Sequence, residues 1–85
     1  MEKYRIEIKK SAVKEIESLP RQEIKAILER ISALADNPRP HDSKKLSHEN
    51  KYRIRSGNYR IVYNIEDQIL FVYVVKVGHR KDVYR

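Results

Sequence analysis

The strongest constraint on the fold is the stretch KYRIRSGNYRIVYNI, residues 51–65, in which apolar and charged residues alternate on both sides of Gly57-Asn58. Strict alternation is typical of strands with one buried face. A Gly-first dipeptide favours a two-residue hairpin, because glycine accepts the positive φ that opens a type II′ turn. The sequence therefore predicts two antiparallel strands in a fixed register, with Arg55 directly across from Arg60.

This register divides the hairpin into two surfaces, because cross-strand partners share a face of the sheet. The predicted core face carries Tyr52, Ile54, Tyr59, Ile61 and Tyr63. The opposite face carries Arg53, Arg55 and Arg60. A single strand arginine commonly covers apolar surface with its methylene groups. Two arginines directly opposite each other repel, however, and a bound anion would relieve that repulsion. The cluster therefore predicts an anion site.

The segment ILFVYVVKV, residues 69–77, is apolar at both alternating positions, which is typical of a strand covered on both faces. A three-residue turn at residues 66–68 predicts three pairs with the preceding strand: Tyr63 with Phe71, Ile61 with Tyr73, and Arg60 with Val74. Gly78 is expected to end the strand. The tail from His79 to Arg85 would then emerge beside the arginines of the hairpin.

The first part of the chain predicts one strand and two helices. Residues 4–9 alternate as a half-buried strand. Ser11 is a candidate N-cap for a short helix that Pro20 ends, with an inward face of Val13, Ile16 and Leu19. A second helix over residues 21–35 has apolar residues at helical spacing: Ile24, Ile27, Leu28, Ile31 and Leu34.

Residues 37–50 are mostly polar and predict a long loop, which Leu46 is expected to attach to the core. The predicted fold is a single α+β domain over residues 1–85. Its order is β-α-α-β-β-β, with a mainly antiparallel sheet and a helical hairpin packed on one face.

The chain has 19 Lys+Arg against 12 Asp+Glu, a formal net charge of +7, which suits a polyanionic partner such as nucleic acid. It has no cysteine, which excludes disulfides and thiolate zinc sites and fits a reducing cytoplasm. We expect no signal peptide and no membrane span. His41 and His48 have no nearby ligand set, so we expect surface histidines and no metal site.

Three stretches, LSHENKYRIRSGNYRIVYNI, FVYVVKVGHR and DVYR, resemble the RelE/ParE toxin superfamily and its RelE-like branch in particular. The length and the predicted order of elements agree with it. The resemblance implies a cytoplasmic type II toxin that cleaves messenger RNA in the ribosomal A site, by attack of a ribose 2′-hydroxyl on the adjacent phosphate. It also implies that no metal or cofactor is needed. The expected partners are a cognate antitoxin and the ribosome with its mRNA, with DNA contacted only through the antitoxin.

The resemblance places the family's catalytic positions on Arg53, Arg55, Arg60, Arg80 and Tyr84. Arg60 and Arg80 are the candidates for stabilising the negative charge of the phosphorane, and Arg80 or His79 for protonating the leaving oxygen. Tyr84 offers a ring on which an extruded base can stack. RNA contacts are expected from further basic residues as well: Lys44, Lys45, Lys51, Lys81 and Arg85.

Two other functions fit the same sequence. A ParE-like toxin acts on DNA gyrase through protein contacts and needs no catalytic cluster. A small basic RNA-binding module without activity is the second alternative, and it would be expected to expose aromatic residues on its sheet. Most tyrosines of this chain alternate into the predicted core, which disfavours such a module.

Overall fold

The computed structural model describes residues 3–46 and 50–79. Its elements are β1 (Arg5–Ile8), α1 (Lys10–Glu17), α2 (Arg21–Ala33), β2 (Lys44–Lys45), β3 (Lys51–Ser56), β4 (Tyr59–Glu66) and β5 (Phe71–His79). The strands form one five-stranded sheet in the order β1-β5-β4-β3-β2. Only the β1–β5 pair among these is parallel. The predicted α+β fold is confirmed, and β2 adds a short strand within the predicted loop.

The β3–β4 hairpin has the predicted register, with Ser56 paired to Tyr59 and Arg55 to Arg60. Gly57 has a φ of +61°, and Asn58 is not among the residues of positive φ. That combination is expected of a type II′ turn, and it explains why glycine stands first.

The core lies between the two helices and the face of the sheet that carries Ile54 and Ile61. Within α1 the buried side chains are Ala12 and Ile16, and within α2 they are Ile27 and Ile31. These helices cover one face, as predicted. Tyr63 is fully buried, and its hydroxyl donates a hydrogen bond of 2.7 Å to the carbonyl of Pro38. Burial raises the pKa of Tyr63 to about 12.

Several local predictions about the helices and the loop are wrong. Ser11 lies inside α1, which begins one residue earlier with Lys9 as its N-cap and no side-chain cap. Because Ala12 and Ile16 form the inward row four residues apart, Val13 is turned outward and is 37% exposed. Leu28 lies at the margin of the apolar stripe of α2 and is 42% exposed. Leu46 is also exposed, so it does not attach the loop to the core.

The predicted pairing of β4 with β5 is wrong as well. The observed partners are Tyr63 with Val74, Ile61 with Val77, and Arg60 with Gly78. The connection is longer than predicted: a 3-10 turn at Asp67–Ile69 is followed by Leu70 in the left-handed conformation, with φ of +51°. A bulge between Val62 and Tyr63 shifts the register once more. Gly78 lies within β5 and does not end it.

This change of register reverses the face of two aromatic residues. Tyr63, a core residue, pairs with Val74 and not with Phe71, a shift of three residues. An odd shift moves every side chain to the other face of a strand. Phe71 and Tyr73 therefore lie on the face opposite the helices. The expectation that β5 is covered on both faces is thus wrong for these two residues, which are half-buried.

The loop that follows α2 is joined to the β4–β5 connection by one ion pair. Arg39 donates two hydrogen bonds to the Asp67 carboxylate, at 3.0 and 2.7 Å, and the Tyr4 hydroxyl donates a third at 2.7 Å. The hydrogen bonds from Arg39 and then Tyr4 lower the pKa of Asp67 to about 2. Among the described residues, no helix is long and apolar enough to cross a bilayer.

Candidate functional site

The sheet face opposite the helices carries a group of basic residues drawn from four strands. Lys44 of β2 pairs with Arg53 of β3, Arg53 pairs with Val62, and Val62 pairs with Lys76 of β5. Since partners share a face, these side chains form one row. Val62 is only 6% exposed on this face, in keeping with basic side chains whose methylenes cover it. We call the basic residues of this face that lie in or beside these rows the cationic cluster: Lys44, Lys51, Arg53, Arg55, Arg60 and Lys76, the last of which is paired through its Nζ with Glu15 at 3.0 Å.

Arg55 and Arg60 form the next row, toward the hairpin turn. In a two-residue hairpin the pair beside the turn is hydrogen-bonded and the next pair is not, so Arg55 and Arg60 form a non-hydrogen-bonded pair. The Cα atoms of such a pair are about 4.5 Å apart and their side chains lie close together. Arg55 is exposed, whereas Arg60 is half-buried and its Nε is shielded from solvent. The side chains of Arg55 and Arg60 therefore leave the same face of the sheet side by side.

A side-chain pair holds the outer edge of β3 at this row. In a non-hydrogen-bonded pair the backbone N–H and C=O of Arg55 point away from β4. Arg30 of α2 donates from Nε to the Arg55 carbonyl at 3.0 Å and from a terminal nitrogen to Asp42. The hydrogen bond from Arg30 lowers the pKa of Asp42, and the Arg55 backbone N–H lowers it further. Arg30 and Asp42 therefore replace the neighbouring strand that β2 is too short to provide.

Toward the opposite edge of the sheet, Glu15 of α1 binds an uncovered part of β5 in a similar way. The β1–β5 pairing stops at Val74, so the outer edge of β5 beyond that point has no strand beside it. Glu15 accepts hydrogen bonds of 3.0 Å from the Val77 backbone N–H and of 3.0 Å from Lys76 Nζ. Sequence reasoning missed both Glu15 and the Arg30–Asp42 pair, because their role depends on which edges the sheet leaves uncovered.

The structure brings together most of the described residues that the sequence predicts for the site. Five of them share the sheet face opposite the helices, which we call the open face: Arg53, Arg55, Arg60, Lys44 and Lys51. Lys45 does not, because it pairs with Tyr52 of the core face. Four predicted site residues lie outside the described residues, as does His48: Arg80, Lys81, Tyr84 and Arg85.

His79 also lies on the helix side of the sheet. It pairs with Tyr59, and the two rings contact edge to face with centroids 5.8 Å apart. Tyr59 packs against the core, whereas Arg60 and its partner Gly78 belong to the opposite face. The geometry therefore separates His79 from Arg60, which disagrees with its predicted place as a proton donor beside that arginine.

The arrangement is suited to binding and polarising phosphate groups. Guanidinium groups form strong bidentate hydrogen bonds to phosphate and stay charged, and ammonium groups add point charges. In the part of the chain that the structure describes, no group of three His, Asp or Glu side chains could hold a metal ion. The cationic cluster itself offers positively charged hydrogen-bond donors.

Comparisons with known proteins agree with the observed fold. A family model described as the ParE toxin of the type II toxin-antitoxin system parDE matches residues 6–84. A protein of Methanocaldococcus jannaschii named toxin RelE1 is 32% identical over 98% of this chain and 97% of its own length. The RelE chain solved with RelB from Pyrococcus horikoshii OT3 has 30% identity and a TM-score of 0.84, covering 94% of this chain and 98% of that one.

A bacterial toxin also matches the fold of this chain, at a lower sequence identity. The toxin in the crystal structure of the intact Escherichia coli RelBE toxin-antitoxin complex is 27% identical to this chain, with a TM-score of 0.78. The match covers 89% of this chain and 95% of that chain. Both structural matches span nearly the whole length of the solved toxin chain, so the similarity concerns the complete fold.

Proposed function

Because this chain belongs to the RelE/ParE superfamily of type II toxins, we propose that it is a ribosome-dependent endoribonuclease that cleaves messenger RNA in the A site. The observation that carries the proposal is the Arg55–Arg60 pair on the open face, within the cationic cluster. A toxin that acts only by protein contacts has no need of opposed guanidinium groups. That the chain is a type II toxin of the RelE family rests on the relatives described above.

In the proposed mechanism the RNA itself supplies the nucleophile. A ribose 2′-hydroxyl gives up its proton to water and attacks the adjacent phosphorus, the P–O5′ bond breaks, and the 5′-oxygen leaves with a proton from the donor. The products are a 2′,3′-cyclic phosphate and a 5′-hydroxyl. The reaction needs the RNA held for in-line attack and the negative charge of the phosphorane stabilised. No metal or cofactor takes part.

The residues divide these tasks by position. Arg60, half-buried at the centre of the cluster, and Arg55 are proposed to bind the non-bridging oxygens of the scissile phosphate. Arg53 and Lys44 lie one row away and suit the next phosphate along the strand. Arg80 remains the proposed proton donor and Tyr84 the proposed stacking ring, on the resemblance alone. Lys51, Lys81 and Arg85 are proposed to contact the RNA backbone.

We propose two partners. One is a cognate antitoxin, because the archaeal and bacterial relatives were solved as complexes with RelB. The other is the ribosome with mRNA in its A site, which would position the message over the cationic cluster. Contact with DNA is proposed only through the antitoxin.

One experiment distinguishes the proposed nuclease from the gyrase-directed alternative. Induction of the protein alone should arrest growth, and mapping of RNA 5′ ends should find new breaks inside translated codons. Arg21→Ala, which removes an exposed arginine from α2 on the other side of the sheet, is the matched control and should behave as the wild type. Intact messages together with accumulated gyrase–DNA complexes would reject the nuclease and favour the ParE-like function.

A further inference from the structure

The open face of the sheet carries an aromatic pair beside the cationic cluster. Phe71 and Tyr73 are stacked, with ring centroids 6.0 Å apart and an angle of 18° between the ring planes. Both are half-buried, and neither belongs to the residues packed against the core. The guanidinium of Arg5 lies over the Phe71 ring, 5.2 Å from its centroid. Arginine and the two rings therefore form a stack along the surface.

The position of this stack relative to the cluster follows from the strand register. Tyr73 pairs with Asn64, and Asn64 pairs with Lys51 of the cluster. The row of Arg53 and Val62 is two residues away along the strands, or about 7 Å, and Arg60 is four residues away, or about 13 Å. Tyr73 thus lies a nucleotide or two from the proposed scissile phosphate.

The charge of the side chains on this face changes along the strands, from the hairpin turn toward the aromatic pair. The rows nearest the hairpin turn carry arginine and lysine, whereas the rows at the aromatic end include Glu7 and Glu66, opposite Tyr73 and Phe71 respectively. Glu7 is paired with Arg5 at 3.5 Å. Phosphates are attracted to the basic end, and the aromatic end offers flat, nearly neutral surface. A nucleotide has the matching polarity, with a charged phosphate and an uncharged aromatic base.

We propose that Phe71 and Tyr73 form a base-stacking platform, on which a base of single-stranded RNA stacks while its phosphates contact the cationic cluster. The proposal deepens the proposed function by naming a nucleotide subsite on the same face. Stacking of bases on aromatic side chains is tolerant of sequence, since every base has a π-face. The platform would hold the message without restricting which codon is cut.

Binding of a fluorescein-labelled RNA tests the proposal without a ribosome. The RNA is short, single-stranded and fully 2′-O-methylated, so that it cannot be cleaved by its own hydroxyl groups. A series of versions each lacks one base. Fluorescence anisotropy measures the affinity of each version for the wild type, for Tyr73→Thr, which removes the ring and keeps a good strand former, and for Tyr73→Phe, which keeps the ring.

The platform predicts a specific pattern. Loss of one base should weaken binding to the wild type and to Tyr73→Phe by about 5- to 150-fold. Tyr73→Thr should bind the complete RNA more weakly by a similar factor and should be insensitive to removal of that same base. A wild type that tolerates every abasic version, or an abasic penalty that is unchanged in Tyr73→Thr, would overturn the platform, whether or not the variant is fully stable.

Cleavage on ribosomes is measured in parallel, so that the two proposals fail separately. Cleavage by a wild type whose RNA binding ignores missing bases rejects the platform and leaves the nuclease standing. Binding with the expected abasic pattern but no cleavage supports the platform and rejects the nuclease.

Discussion

At the scale of single residues, the proposed chemistry depends most on Arg60, which is half-buried in the cationic cluster. Arg60→Ala should lower the single-turnover rate of cleavage by about 10²–10³, because it removes a donor aimed at developing negative charge. Its side chain is on the face away from the core, so thermal unfolding should change little. Arg21→Ala removes the same charge from an exposed position on α2, on the opposite side of the sheet, and should cleave as the wild type. A folded Arg60→Ala variant with the wild-type rate would remove Arg60 from the mechanism.

For His79 we predict the opposite of Arg60, namely that its substitution has little effect on cleavage. Its ring packs against Tyr59 on the helix side, so His79→Ala should leave the cleavage rate within about threefold of the wild type, well short of the 10²–10⁴ that a general acid contributes. The pH profile of the rate between about pH 6 and 8, where histidines commonly titrate, should also be unchanged. A hundredfold loss, or a lost ionisation, would restore His79 as the proton donor and show that the face assigned to it is wrong.

At the scale of elements, the edge of β3 depends on α2. Arg30→Ala removes the hydrogen bond to the Arg55 carbonyl and leaves Asp42 without its main partner. We expect cleavage to slow by about tenfold, because small displacements of positioned groups are costly to the rate. The loss should appear in kcat more than in KM. Arg30→Ala in an Arg55→Ala background should add little, since the pair acts through Arg55. Additive losses would mean that Arg30 acts elsewhere.

The sign of any pH effect on this edge follows from Asp42. Its pKa is lowered in the folded protein, so its stabilising contribution is present above its ordinary value near 3.9 and is lost as the pH falls through the folded value. The edge should therefore be intact throughout the neutral range. Asp42→Asn should cause a loss in cleavage that is the same at pH 6 and pH 8.

The elements also show how far sequence alone can predict this protein. The β3–β4 hairpin was predictable in full, because Gly57-Asn58 fixes both the turn and the register. The β4–β5 register was not, since neither the left-handed Leu70 nor the bulge after Val62 has a sequence signal comparable to Gly-Asn. That error placed Phe71 and Tyr73 in the core. The aromatic pair on the open face was therefore invisible until the register was known.

The arginines of the site were predictable for the same physical reason. Arg53, Arg55 and Arg60 all belong to the hairpin whose register the turn determines. Glu15, Arg30 and Asp42 were not predictable, because each binds a strand edge that is uncovered only once the lengths of β1 and β2 are known. Single charged residues on a helix or in a loop give no such information in sequence.

At the scale of the whole molecule, the Arg39–Asp67 pair joins segments that are distant in sequence, and its contribution to stability should depend on pH. The pKa of Asp67 is lowered to about 2, so the pair stabilises the fold above about pH 4 and loses that effect as the pH falls toward 2. Both side chains are partly exposed, 39% and 47%, which limits the effect to about 1 kcal/mol.

Urea unfolding of Asp67→Asn tests this. The variant should be less stable than the wild type by about 1 kcal/mol at pH 7, and the difference should largely disappear near pH 2. Asp36→Asn is the matched control, because Asp36 makes only a 3.6 Å surface pair with Lys3 and should have almost no effect at either pH. A difference for Asp67→Asn that persists unchanged at low pH would show that the carboxylate charge is not responsible.

We propose that this toxin uses the cationic cluster to promote attack by a ribose 2′-hydroxyl, and a message that lacks this hydroxyl at one nucleotide tests the proposal. Programmed ribosomes carry a message with a single 2′-deoxy substitution at the nucleotide before the cleaved bond, beside an unmodified message. The wild-type protein should cut the unmodified message in the A-site codon, leaving a 2′,3′-cyclic phosphate, and should leave the substituted message intact. Equal cleavage of both messages, or products that end in a 3′-hydroxyl, would contradict attack by the 2′-hydroxyl.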